Sequence, residues 1–179
     1  MGYTHYWSHT RAFSNAEWKV ILGETKRIVA KAARGEYYTG KENPASERGF
    51  TLDEQGFRQG FNEQGAWRTF PHPELPIPCQ GQPILLAGPD GTGKPQLAKS
   101  EIALNGKCPL DYEAFLLNKQ PPTLLSNRRE PDAMTSFVKT EYRPYDAVVV
   151  SILAVAQKVA PDAIVVRSDG GPEAIRYLF

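Results

Sequence analysis

The sequence predicts an α+β fold in a single domain. The expected architecture is a mainly antiparallel sheet of about five strands, two main helices on one face, and a long irregular insertion. Three observations lead there. Short apolar or β-branched runs recur along the chain, two longer segments carry helical spacing, and the strands of the second half are joined by turns too short for parallel crossovers. With 179 residues and 41% of them apolar, the chain can bury one core without disulfides or a structural metal.

Tyr3 to Ser8 alternates with period two, placing Tyr3, His5 and Trp7 on one face and Thr4, Tyr6 and Ser8 on the other. This predicts a strand. Ser14 followed by Glu17 is a capping box, and Trp18, Ile21, Leu22, Ile28 and Val29 recur near helical spacing until Gly35, where a left-handed stop is natural. Residues 36–82 are rich in Gly, Gln, Pro and charge, and form the insertion. Prolines 71, 73, 76 and 78 suit an extended arm, while Phe50, Phe57, Phe61, Trp67 and Phe70 are too many aromatics for a plain linker. The arm is expected to pack over the domain or to dock a partner, with Trp67 and Phe70 as the partner-binding residues.

Beyond the arm, Ile84 to Ala87 reads as a short buried strand, Glu101 to Leu104 as a second before an Asn105-Gly106 tight turn, and Glu113 to Leu117 as a third. Ser136 to Tyr142 can be extended. Pro144 suits the first turn of a helix through Ala147, Ile152 and Val159, which Pro161 ends. Ala163 to Val166 then reads as a buried strand, Ser168 to Gly171 as a turn, and Glu173 to Phe179 as a short terminal helix.

Charge narrows the function. The 21 Lys and Arg nearly balance 20 Asp and Glu, so no overall basic field draws the chain onto nucleic acid. The densest local cluster is Arg128 and Arg129 with Lys139 and Arg143, a pattern that usually marks solvated surface. Cys79 and Cys108 stand singly, without zinc spacing, which points to a reduced setting. The opening residues have neither a secretory signal pattern nor a myristoylation pattern, and the apolar run from Ala147 to Ala156 is far short of the roughly 20 residues that span a bilayer. A soluble protein without a membrane partner is expected.

Gly88-Pro89-Asp90-Gly91-Thr92-Gly93-Lys94-Pro95 copies a phosphate-binding loop except at its last position, where Pro95 supplies neither the hydroxyl for Mg²⁺ nor an N–H for phosphate. Pro95 also biases Lys94 out of the helical region where the phosphate-binding helix should begin. The sequence therefore predicts a turn at Asp90, Gly91, Thr92 and Gly93. His5 and His9 lie four apart on a strand, a spacing that does not bring imidazoles together, so His5 is expected to be a satisfied, half-buried residue. Asp111 and Glu113 point the same way on an extended chain and could hold a hard cation, though a surface pair is the plainer expectation.

The run from Lys139 to Asp146 feeds a helix N-terminus. Free N–H groups and the positive end of the helix dipole favour an anion there, giving Lys139, Thr140, Arg143, Tyr145 and Asp146 as candidate ligands. Against this, Asp146 can simply charge the helix start and Arg143 can pair with an acid. Ser168 and Asp169, in Ser168-Asp169-Gly170-Gly171, form a second candidate nest.

Three stretches together carry a resemblance: Met1 to Trp7; Asp90 to Gly93 with Ile102 to Gly106; and Val138 to Asp146 leading to Val166 to Gly170. The chain resembles the uncharacterised family of small bacteriophage and prophage proteins that begin Met-Gly-Tyr-Thr-His-Tyr-Trp. The resemblance implies a phage-encoded accessory protein in the cytoplasm of a bacterial host, but no catalytic residues. The expected function is binding, for host takeover or counter-defence, with a host protein or a small phosphorylated ligand as target and no cofactor or metal. Two alternatives stand beside it: a metal-dependent enzyme acting on nucleotides or nucleic acid, using Asp90, Asp111, Glu113, Lys139, Asp146 or Asp169, and a virion structural or assembly factor.

Overall fold

The computed structural model describes residues 4–37, 83–108, 110–121, 135–141 and 143–179, together with the backbone of three short strands at 50–52, 58–61 and 67–69. The fold is α+β, and every strand pair among the described residues is antiparallel. The expected single sheet is divided. Strand β1 (Thr4–His9) lies between β9 (Thr135–Lys139) and β10 (Ile164–Ser168), while β5 (Leu86–Ala87), β6 (Gln96–Leu97) and β8 (Phe115–Asn118) all pair with β7 (Glu101–Gly106). Within the insertion, β2 (Phe50–Leu52), β3 (Arg58–Phe61) and β4 (Trp67–Thr69) form a separate meander.

Helix α1 (Asn15–Ala33) begins as the sequence predicts, with the Ser14 and Glu17 capping box fully formed. Arg11 bonds Glu17 and Asp162 at once, and its bond to Glu17, with that from Ser14 N–H, holds the Glu17 carboxyl at about 2, below the usual range. Trp18, Ile21, Thr25, Ile28 and Ala32 make its buried stripe, and Gly35 (φ 71°) follows its end. Helix α2 (Asp146–Val159) is buried nearly all round, from Val148 through Ala156, which is the pattern of a core helix. It packs against α1 and β10. The two sheets meet through the rings of Trp7 and Phe115, 5.3 Å apart and both buried.

Pro144 stands before the Tyr145 N-cap of α2 instead of in its first turn, and two further local expectations give way to tertiary context. The terminal helix is a single 3-10 turn, Pro172–Ala174, after which the chain runs non-helically so that Leu178 N–H reaches Ser151 Oγ (3.1 Å) and Phe179 packs on Tyr37. A segment that short has too few internal bonds to hold a helix alone. Asn105-Gly106 ends strand β7 instead of forming a tight turn. Glycine is needed there because a Cβ would lie 2.2 Å from the Leu110 carbonyl oxygen.

Candidate functional site

Topology gathers the polar residues. Strands β9 and β10 both run antiparallel to β1 and are connected through α2, so the end of β9, the start of α2, the end of β10 and the start of β1 all meet at one edge. Register then sets the partners. His5 stands opposite both Ser168 and Val138, and directly opposite residues of an antiparallel pair share a face.

The result is a polar chain under the helix start. His5 is fully buried, with Nδ1 2.9 Å from Ser168 Oγ and Nε2 2.6 Å from Asp146 Oδ1. Thr140, also fully buried, donates to the same Asp146 oxygen at 2.5 Å. An ionised carboxylate only accepts, which assigns the ring proton to Nε2 and leaves Nδ1 to accept from the Ser168 hydroxyl. Gly170 N–H donates to Ser168 Oγ (3.1 Å), Gly171 N–H to the Ser168 carbonyl (3.0 Å) and Asp169 N–H to the Thr4 carbonyl (3.0 Å). These three donors of the candidate nest are engaged within the protein, and the Asp169 carboxylate itself accepts from Thr4 N–H.

A second cluster lies beside the first. The buried amide of Asn105 donates to the carbonyls of Pro89 and Tyr112 (3.3 and 3.2 Å), while its oxygen accepts from Tyr112 N–H (3.1 Å), so one side chain staples the glycine loop to the 110–113 segment. Gly91 (φ 79°) rests against Asp111, where a Cβ would come 2.7 Å from Oδ2. Tyr112 bonds Glu141, which raises the phenol's pKa, and its ring lies 5.4 Å from the Arg143 guanidinium. Arg143 is only 7% exposed and its Nη1 has no hydrogen-bond partner. Burial lowers its pKa, against the opposing pull of Glu141 and Asp111. Glu141 itself has φ 47°, a left-handed conformation unusual for a side chain of this kind and a mark of local strain.

The expected ligands thus divide. Arg143, Thr140, Asp146 and Ser168 belong to the buried clusters. Lys139 is half-exposed, with its ammonium 4.0 Å from Glu113 and its N–H bonded to that carboxylate. Tyr145 is completely buried, and its hydroxyl serves the carbonyls of Glu113 and Lys139 (2.8 and 3.2 Å), so it braces the site from beneath. The glycine loop is a turn: Gly88 N–H reaches the Thr92 carbonyl, Asp90 folds back onto Thr92, and strand β6 follows where a phosphate-binding helix would stand. Among the described residues no group of three or more His, Cys, Asp or Glu side chains is placed to hold a metal ion. Asp111 and Glu113 face different partners. Trp67 lies on β4, whose side chains are outside the described residues, as are Phe70, Cys79, His72 and the Arg128-Arg129 pair.

Sequence reasoning missed three contributors. His5 is satisfied as expected but fully buried and at the centre of the polar chain, Asn105 was hidden by its resemblance to a turn residue, and Tyr112 carries no motif. No helix among the described residues is long and apolar enough to cross a membrane. No protein-family model, curated protein or solved structure matches this chain.

Proposed function

We propose that the protein is a bacteriophage accessory protein that acts by binding in the host cytoplasm, and that its target is a small phosphorylated ligand taken at Arg143. The observation that carries this reading is the buried guanidinium with an unpartnered Nη1. A buried charged donor without a partner is costly, and a phosphate oxygen is a strong acceptor for it. Tyr112 is 39% exposed with its ring 5.4 Å from the guanidinium, so an aromatic face stands beside the cation at the surface. Lys139, half-exposed at the end of β9 and shared with Glu113, adds positive charge to the same edge, and Asp111 and Glu141 act electrostatically on the guanidinium. The phage origin and host setting rest on the resemblance of the three sequence stretches.

The test is a panel of nucleotides and sugar phosphates, followed by thermal shift and calorimetry. A true ligand at 100 times its dissociation constant adds about 2.7 kcal/mol to stability. Arg143→Gln should abolish the shift and Lys139→Gln should weaken it. If no phosphorylated compound binds, or if binding survives Arg143→Gln, this reading fails. Capture of a host protein that is lost on changing Trp67 and Phe70 would favour the arm as the working surface instead.

A further inference from the structure

We infer that Ser168 is a nucleophile served by the relay Ser168, His5 and Asp146, and that the protein thereby has an activity beyond binding, the hydrolysis of a carboxylic ester. The geometry contains the three parts such chemistry requires. A hydroxyl lies 2.9 Å from an imidazole nitrogen, and the other imidazole nitrogen lies 2.6 Å from a carboxylate. Thr140 adds a second donor to that carboxylate oxygen and fixes its orientation. Compared with the familiar serine hydrolase arrangement the ring is turned end for end, Nδ1 facing the hydroxyl. Either ring nitrogen can act as the base once the other is held protonated.

Placement supports the assignment. His5 is sealed from solvent, so its proton traffic runs through its bonded partners. Ser168 is half-buried at the open end of β10, where the chain turns through Asp169-Gly170-Gly171. Gly170 N–H donates to Oγ at 3.1 Å, which holds the hydroxyl oxygen against the turn while its proton faces His5 Nδ1.

The step balances within the protein, ester and water. The Ser168 proton passes to His5 Nδ1 as Oγ bonds to the carbonyl carbon and the carbonyl electron pair moves onto oxygen. Collapse breaks the carbon–alkoxide bond, and the leaving oxygen takes the proton from Nδ1. Water then repeats the sequence on the acyl-serine, releasing the carboxylic acid and restoring the hydroxyl. Neither oxidant nor co-reactant is consumed. The inference does not depend on Arg143, since its three residues belong to the other cluster.

Treatment of the full-length protein with a fluorophosphonate ester tests it, because an activated serine forms an Oγ–phosphorus bond and expels fluoride. Peptide mapping should find the adduct on Ser168, and Ser168→Ala should remove it. Asp146→Asn, which replaces an acceptor of the ring proton, should slow labelling about 100-fold or more, in line with loss of general-base catalysis. Hydrolysis of p-nitrophenyl acetate should show the same order. Absence of an adduct on the folded protein overturns the inference, as does an adduct confined to other residues or a labelling rate unchanged in Asp146→Asn. In those cases the relay only ties β10 and β1 to the start of α2.

Discussion

His5 and Asp146, 141 residues apart in the chain, are joined by a 2.6 Å bond between an imidazole nitrogen and a carboxylate oxygen at the point where α2 meets the middle strand of its sheet. The contact ties a strand near the chain's start to the helix that links the other two strands. It also holds the ring in the tautomer that leaves Ser168 as its hydrogen-bond donor.

Removal of the carboxylate should therefore be felt in stability. Asp146→Ala strands the His5 N–H and the Thr140 hydroxyl together, and a buried donor left unsatisfied costs about 1–3 kcal/mol. The expected loss is about 2–3 kcal/mol in urea denaturation, with Thr140→Val costing about 1 kcal/mol because only one of the two donors goes. A double-mutant cycle should show the two changes to be non-additive, since they share one oxygen.

The capping box, the Gly35 stop and the alternating face of β1 follow from neighbours within a few residues, and they were legible in the sequence. So was the turn at Asp90 to Gly93 with no helix after it, because Pro95 biases Lys94 out of the helical region locally. The pairing of His5 with Ser168 is different in kind. It depends on which distant strands flank β1 and in what register, information that no local spacing carries. Asn105-Gly106 shows the converse problem, in which a strong local turn signal is overridden because the side chain is needed to staple loops and the glycine is needed to let Leu110 pass. The candidate anion ligands fall in one segment of the sequence, yet only long-range packing separates Arg143, with its unpartnered Nη1, from Tyr145, whose hydroxyl faces carbonyls.

Asn105 gives a second prediction. Asn105→Ala leaves Pro89 and Tyr112 without their side-chain partners in a site only 2% exposed, at an expected cost of about 2–3 kcal/mol. Asn105→Asp should cost more, since it replaces two donated bonds with a buried charge facing two carbonyls. Amide exchange is the sharper readout. Tyr112 N–H should lose protection in both variants, and unchanged protection would mean that the two loops hold together without the staple.

His9 predicts a pH dependence. Its Nε2 donates to the Asn118 carbonyl (3.1 Å), its Nδ1 is buried without a partner, and burial lowers its pKa from the ordinary 6.5. Between that ordinary value and the lowered one, the unfolded chain binds a proton that the folded chain refuses, so stability falls as pH drops below about 6.5. Melting temperatures from pH 8 to pH 5 should decline on the acidic side, and His9→Gln should flatten the decline. An identical slope in the variant would assign the effect to other groups.

Gly106 offers the most severe single test of the fold around the site. It pairs with Leu86 across the sheet, and its α-carbon is overlain by the Leu110 carbonyl, so that an added methyl carbon would sit 2.2 Å from that oxygen and 3.1 Å from the Tyr145 ring. Neither neighbour can give way cheaply. The carbonyl is backbone, and Tyr145 is fully buried with its hydroxyl bonded to Glu113 and Lys139. Gly106→Ala should therefore displace the 107–113 segment and cost about 3 kcal/mol or more, in the range of overpacked cores. Gly91→Ala meets Asp111 and a positive φ together, but the obstacle is a side chain at the surface and the loop can shift, so its cost should be smaller, about 1–2 kcal/mol. Chemical denaturation of the two variants side by side checks the order. A Gly106→Ala protein as stable as the parent would mean that Leu110 does not pass over β7 as described, and the link from β7 to Tyr112 and Arg143 would fall with it.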